Sequence, residues 1–141
     1  YTRTTNDIAI DGKRLNSLGW FLDNLAAHYC ADNVVGTSGN DTFTGTDTTW
    51  LVGDAINGGA GTDTFNYIKT GAITQADFLP TGASVTGVET INVTGGAAIA
   101  ANSTSIAGLT KLNVTNSGAN DIGLTAAATT DVTATNATLA T

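Results

Sequence analysis

At 141 residues the chain has the length of one domain, and with 41% apolar against 12% charged residues it is too hydrophobic for a solvated tail. Its 17 glycines and 27 threonines, with a single proline and no methionine, exclude a helical bundle and favour a turn-dense β protein. A formal charge of −7 repels nucleic acid and anionic lipid and attracts cations, and no apolar run approaches the ~20 residues of a membrane span, so neither nucleic acid nor membrane insertion is expected.

From Tyr1 to Cys30 three acids balance three bases, so the net charge lies after Cys30, where nine acids face only Lys69 and Lys111. The chain begins at Tyr1 without a signal-peptide pattern, and we read it as part of something longer. Leu15, Leu18, Leu22, Leu25 and Tyr29 recur at spacings of three and four, which predicts an amphipathic helix from about Gly12 to Tyr29. Residues 1–32 are therefore expected to cap or dock on whatever follows. His28 lies on the polar side of that helix without a partner, and Cys30 has none for a disulfide, so no catalytic dyad is expected there.

After Asn33 short apolar pairs alternate with Gly, Asn, Asp and Thr, the pattern of strands and turns. "GGAGTDTFN", residues 58–66, fits the nonapeptide G-G-x-G-x-D-x-U-x, and "GTSGNDTFT", residues 36–44, is a copy with Thr37 at the second glycine. Asp54 precedes Asp63 by nine residues, as Ile56 precedes Phe65. If two nine-residue halves make one turn of a coil, Asp41 and Asp63 share an edge and Asp54 lies on the opposite one. Calcium takes about six to eight oxygens, more than one carboxylate offers, so a turn that binds it must aim backbone carbonyls from conformations that glycine tolerates best.

Further on, "GVETINVT" and "GLTKLNVT" repeat with an offset of 21, and Thr129, Val132 and Ala134 continue the pattern. In each copy Ile91 and Val93, or Leu112 and Val114, point inward while the asparagine and threonine between and after them point out. One such strand cannot bury its apolar face alone, but stacked copies build a continuous core. The alanines at 97, 98, 100 and 126–128 are expected to line a narrow interior. These features predict an all-β fold, a right-handed parallel β-solenoid over residues 33–141.

The nonapeptides together with "GVETINVTGG", "AGLTKLNVT" and "LTAAATTDVTATNA" resemble the RTX-type, type I-secreted surface proteins of bacteria, in particular calcium-dependent S-layer proteins. The resemblance covers about residues 33–141. It implies Ca2+ as the cofactor, with Asp41, Asp54, Asp63 and the turn residues Gly36, Gly39, Gly58, Gly59 and Gly61 as ligands or their backbone supports. It also implies an extracellular location on the bacterial cell surface, self-association into a lattice or filament, and a cell-surface glycan as a further partner. Asp47, Asp77, Glu89, Asp121 and Asp131 are read as solubility charges.

The leading expectation is thus a structural, non-enzymatic segment that folds on calcium outside the cell. The alternative is an RTX module of a secreted adhesin or hydrolase whose active domain lies elsewhere. Solenoid polysaccharide lyases need strong bases, and the repeats offer only two lysines. The "GLTKLNV" spacing also resembles a leucine-rich repeat, but lacks the later asparagine. T-x-T steps such as "TFTGTDTT" suggest a water-ordering face, but the Thr pairs are not expected to recur at one register through all coils, and threonine also suits an exposed strand.

Overall fold

The computed structural model describes residues 31–118 and 121–136. The expected helix from Gly12 to Tyr29 lies outside the described residues, as does Cys30. The described chain runs β1 (Asn33–Val35), β2 (Thr42–Thr46), β3 (Ala55–Asn57), β4 (Thr64–Lys69), α1 (Gln75–Phe78), β5 (Ser84–Thr86), β6 (Thr90–Gly95), β7 (Ile99–Asn102), β8 (Lys111–Asn116), β9 (Ile122–Thr125) and β10 (Asp131–Asn136).

No two consecutive strands pair. Each pairs in parallel with a strand one winding away, giving a five-stranded sheet β2-β4-β6-β8-β10, a three-stranded sheet β1-β3-β5 and a pair β7-β9. That is a parallel β-solenoid of about five turns, as the repeats imply. Along the long sheet Thr42 pairs with Thr64, Thr64 with Thr90, Thr90 with Lys111 and Lys111 with Asp131, so the windings take 22, 26, 21 and 20 residues.

Alternation along each strand sends two columns inward. Phe65, Ile91 and Leu112 stack in one, and Tyr67, Val93 and Val114 in the other, each 0–1% exposed. Gly45 faces Tyr67 in register, and a Cβ there would press on the Phe65 ring and on Trp50 at about 3.0 Å, so the missing side chain makes room for both aromatics. Trp50 meets the Phe65 ring edge-on with centroids 5.1 Å apart, and its Nε1–H donates to the Phe78 carbonyl at 3.0 Å.

The alanines do not follow expectation. Ala98, Ala100, Ala127 and Ala128 are exposed, and Ile99 and Ala101 take the interior positions of β7 instead. The reason is register: Ile99 pairs with Ile122 and Ala101 with Leu124, which leaves Ala100 on the outer pleat.

The second wall of the solenoid changes midway. The first windings close on β1, β3 and β5, the later ones on β7 and β9, and the winding that visits both carries α1. This helix is one turn long, too short to persist on propensity alone. It is held by a capping box between Thr74 and Asp77, by burial of Phe78, and by the Lys69–Asp77 ion pair at 2.8 Å. Gln75 then takes the place of a neighbouring strand for β7: its Oε1 accepts from the Asn102 N–H at 2.6 Å and its Nε2 donates to the Asn102 carbonyl at 3.2 Å.

Outside the long sheet the register aligns polar side chains into ranks. Thr44, Asn66, Asn92, Asn113 and Thr133 form one, with Asn92 Nδ2 donating to Asn66 Oδ1 at 2.8 Å and Asn113 Nδ2 to Asn92 Oδ1 at 2.9 Å. Thr46, Ile68, Thr94, Thr115 and Thr135 form the next. Four of these five positions are threonine, interrupted by Ile68, and across the two ranks the Thr-x-Thr pair recurs only at Thr44/Thr46 and Thr133/Thr135, so the pairs do not run through all windings, as expected.

The Lys69 ammonium, then the Thr74 N–H, hold the Asp77 carboxyl down to about 2. A lowered folded value adds stability above the ordinary value of 3.8, and that contribution disappears as pH falls toward 2. Asp77→Asn is therefore expected to cost about 1 kcal/mol near neutral pH, the scale of a partly screened ion pair. Urea titrations should show the gap from wild type closing between about pH 4 and pH 2.

Candidate metal centre

Two chain corners lie one above the other because the strands on both sides of them pair. Residues 36–41 join β1 to β2, residues 58–63 join β3 to β4, and Val35 pairs with Asn57 while Thr42 pairs with Thr64. A third, shorter corner, residues 87–89, joins β5 to β6 above them. The structure brings Asp41 and Asp63 together with Glu89, one per winding, at the start of the long sheet. Asp54 sits across the solenoid at the start of β3, where it meets Asp32.

These carboxylates cap backbone. Asp63 Oδ1 accepts the Asp41 N–H at 2.7 Å, and Glu89 Oε2 accepts the Asp63 N–H at 2.7 Å. Asp54 Oδ1 accepts the Asp32 N–H at 2.8 Å and its Oδ2 the Leu51 N–H at 2.6 Å. At Asp32, Asp41 and Asp63 the capped N–H belongs to the residue just before a strand, and a carboxylate of the next winding supplies its acceptor. Burial pushes the Asp54 carboxyl above its ordinary value, and the N–H groups of Asp32 and Leu51 limit the rise.

The glycines serve two different needs. Gly59 and Gly61 have φ of +98° and +129°, the left-handed side that disfavours a side chain. Gly36 and Gly58 are not left-handed; there the windings approach too closely for a Cβ. One added at Gly58 would collide with the Gly87 carbonyl and Asp63 Oδ2, and one at Gly36 with the Gly58 carbonyl and Asp41 Oδ2. Gly39 has neither constraint, since a Cβ there would meet only Thr37 Oγ1 at 3.6 Å.

Each of these approaches puts a carbonyl oxygen and a carboxylate oxygen against one glycine Cα. At the first corner Asp41 Oδ2 is engaged by the Thr37 N–H at 2.6 Å and by Thr37 Oγ1 at 3.0 Å. At the second, Asp63 is 0% exposed and its Oδ2 accepts no hydrogen bond. A buried carboxylate oxygen without a donor is costly unless positive charge approaches it. This orphaned oxygen, beside the Gly87 carbonyl, fits a hard, oxygen-seeking cation of the calcium type. Among the described residues no three His, Cys, Asp or Glu side chains form a metal-binding group, so such an ion would rely largely on backbone carbonyls.

The sequence reading left Glu89 and Asp32 out of the site. The signal for Glu89 was present: "DTF" at residues 41–43 and 63–65 and "ETI" at 89–91 share the same acid, threonine and inward apolar residue. Comparison of the sequence with protein-family models finds no match, and comparison with curated proteins finds none either.

The close-approach need can be tested by substitution, with Gly39 as the control. Gly58→Ala should lose about 1–3 kcal/mol as the windings are forced apart, whereas Gly39→Ala should stay within about 0.5 kcal/mol. Chemical denaturation of the two variants checks this; equal losses would remove the close-approach explanation.

Proposed function

We propose that the chain is a calcium-dependent structural segment of a secreted bacterial cell-surface protein, RTX-like and related to S-layer assemblies, without catalytic activity. The observation that carries this reading is the Asp63 carboxylate oxygen, fully buried at a glycine corner and supplied with no donor. The solenoid is taken to wind right-handed, as parallel crossovers do in nearly all cases.

The residues would act through folding. Asp63 Oδ2 and the Gly87 carbonyl would hold the ion; Asp63 Oδ1 and Glu89 join the windings on either side. A bound Ca2+ supplies positive charge that offsets the acidic corners. Without it the acids of residues 41, 63 and 89 repel one another and the buried oxygen opposes closure. A ligand at a hundredfold excess over Kd stabilises the folded state by about 2.7 kcal/mol, and weak extracellular-type sites have Kd of about 10⁻⁴–10⁻³ M. Such a chain stays open in a calcium-poor cytosol and closes outside.

A physical basis for assembly lies at the edge of the long sheet. Strand β10 is an edge strand among the described residues, and Val132, which continues the inward column of Leu112, is 44% exposed there. An uncovered parallel edge is a template for another chain.

The test is calcium titration of the chelator-treated protein. A gain in β-sheet circular dichroism at millimolar calcium, with ordered arrays or filaments in electron micrographs, is the expected outcome. Unchanged dichroism would overturn the calcium reading, and a calcium-folded protein that stays monomeric would overturn the assembly reading.

The aligned threonine and asparagine ranks favour one second reading, a face that orders water. β-Branched threonines are stiff at χ1, so a regular rank of them loses little entropy on meeting an ordered solid. That reading expects thermal hysteresis of freezing solutions, lost in Thr94→Lys/Thr115→Lys, and an absence of hysteresis in the wild type removes it.

A further inference from the structure

The two stacked corners have equal length, so their residues correspond one to one: Gly36 with Gly58, Thr37 with Gly59, Asp41 with Asp63. Resting on the calcium reading above, we infer that the corners have different occupants: the Asp63 corner takes the cation, and in the Asp41 corner Thr37 stands in its place.

The difference begins at the second position. Thr37 turns both its N–H and its hydroxyl onto Asp41 Oδ2, at 2.6 and 3.0 Å. Those two donors bring partial positive charge to the oxygen that faces the Gly58 carbonyl across Gly36, and the corner closes with protein atoms alone. Gly59 does neither. Its φ of +98° turns its N–H to Asn57 Oδ1 at 3.2 Å, and it has no hydroxyl to offer. Asp63 Oδ2 is left buried and without a donor beside the Gly87 carbonyl. A Thr37 equivalent is barred there, because a Cβ at Gly59 would run into the Thr37 carbonyl. Stacking the second corner on the first thus forces glycine at 59, and glycine at 59 leaves Asp63 Oδ2 without a donor.

A cation needs lone pairs directed at it with no N–H or O–H in the way. The second corner meets that condition and the first does not. The two nonapeptide-like turns therefore differ in kind: one is a structural clasp, the other a ligand site.

Counting ions per chain decides the matter, by native mass spectrometry and by equilibrium dialysis with calcium. Relative to wild type, Asp63→Asn should bind one ion fewer. Thr37→Gly should bind one more, because it removes the hydroxyl and frees the backbone N–H to turn away as Gly59 does. Thr37→Ser, which keeps both donors, and Asp41→Asn should each bind as many as wild type. The gain in Thr37→Gly requires a folded protein, so it cannot arise from misfolding, which only removes sites. Loss of an ion in Asp41→Asn with none lost in Asp63→Asn, or no gain in Thr37→Gly, overturns the division between corners. A wild type that binds no calcium overturns the functional reading itself and the assignment with it.

Discussion

Parallel stacking of one winding on the next is the interaction on which everything else in this protein depends. Every strand finds its partners a full winding away, so no strand is stable until the chain has gone round and returned in register. The backbone ladders close at strand spacing of about 4.8 Å, and that spacing is imposed on the corners as well as on the strands. Corners must then solve two problems that strands do not have: where the chain turns, side chains no longer alternate cleanly in and out, and N–H groups lose their carbonyls. Glycine at 36 and 58 answers the first, and the carboxylates of Asp54, Asp63 and Glu89 answer the second.

The long sheet is constant while the rest of the circuit varies, and this explains how windings of 20 to 26 residues coexist. Surplus chain is put where it costs little. In the 26-residue winding it forms α1 and moves the second wall from one sheet to another, with Phe78 and Trp50 filling the space beneath. In the 22-residue winding after β2 it carries Trp50 inward. Gln75 shows the same economy at small scale, one side-chain amide serving as a strand for Asn102.

Much of the solenoid could be read from the sequence because its strands are both periodic and repeated. Ile91 and Val93 against Leu112 and Val114 gave register as well as direction, and the opposite placement of Asp54 from Asp41 and Asp63 followed from nine-residue spacing. What escaped has physical reasons. "TGAITQADFLPTGAS" carries neither alternation nor repetition, since α1 is fixed by a cap and by tertiary burial of Phe78, not by a pattern. The alignment of Thr94, Thr115 and Thr135 with Thr46 across Ile68 was hidden because unequal windings scramble their spacing. Left-handed strain explains Gly59 and Gly61 but not Gly36 and Gly58, whose need arises from a neighbouring winding that sequence does not display.

The carboxylates also show why acidity alone says little about metal binding. Asp54 and Asp63 are both nearly inaccessible, at 5% and 0% exposure, and both cap an N–H of the previous winding. They differ in the second oxygen. At Asp54 the tight turn from Leu51 returns an N–H to it, so both oxygens have donors and the desolvation is offset in part. At Asp63 the longer glycine corner swings its N–H groups elsewhere, and the second oxygen, close to Gly58 as the Gly87 carbonyl is, has no donor. A buried carboxylate oxygen with no donor is costly, and the close approach of the next winding at Gly58 leaves no room for a side chain to supply one. In the calcium reading proposed above, it is therefore the carboxylate oxygen without a donor, not the number of acids, that singles out Asp63.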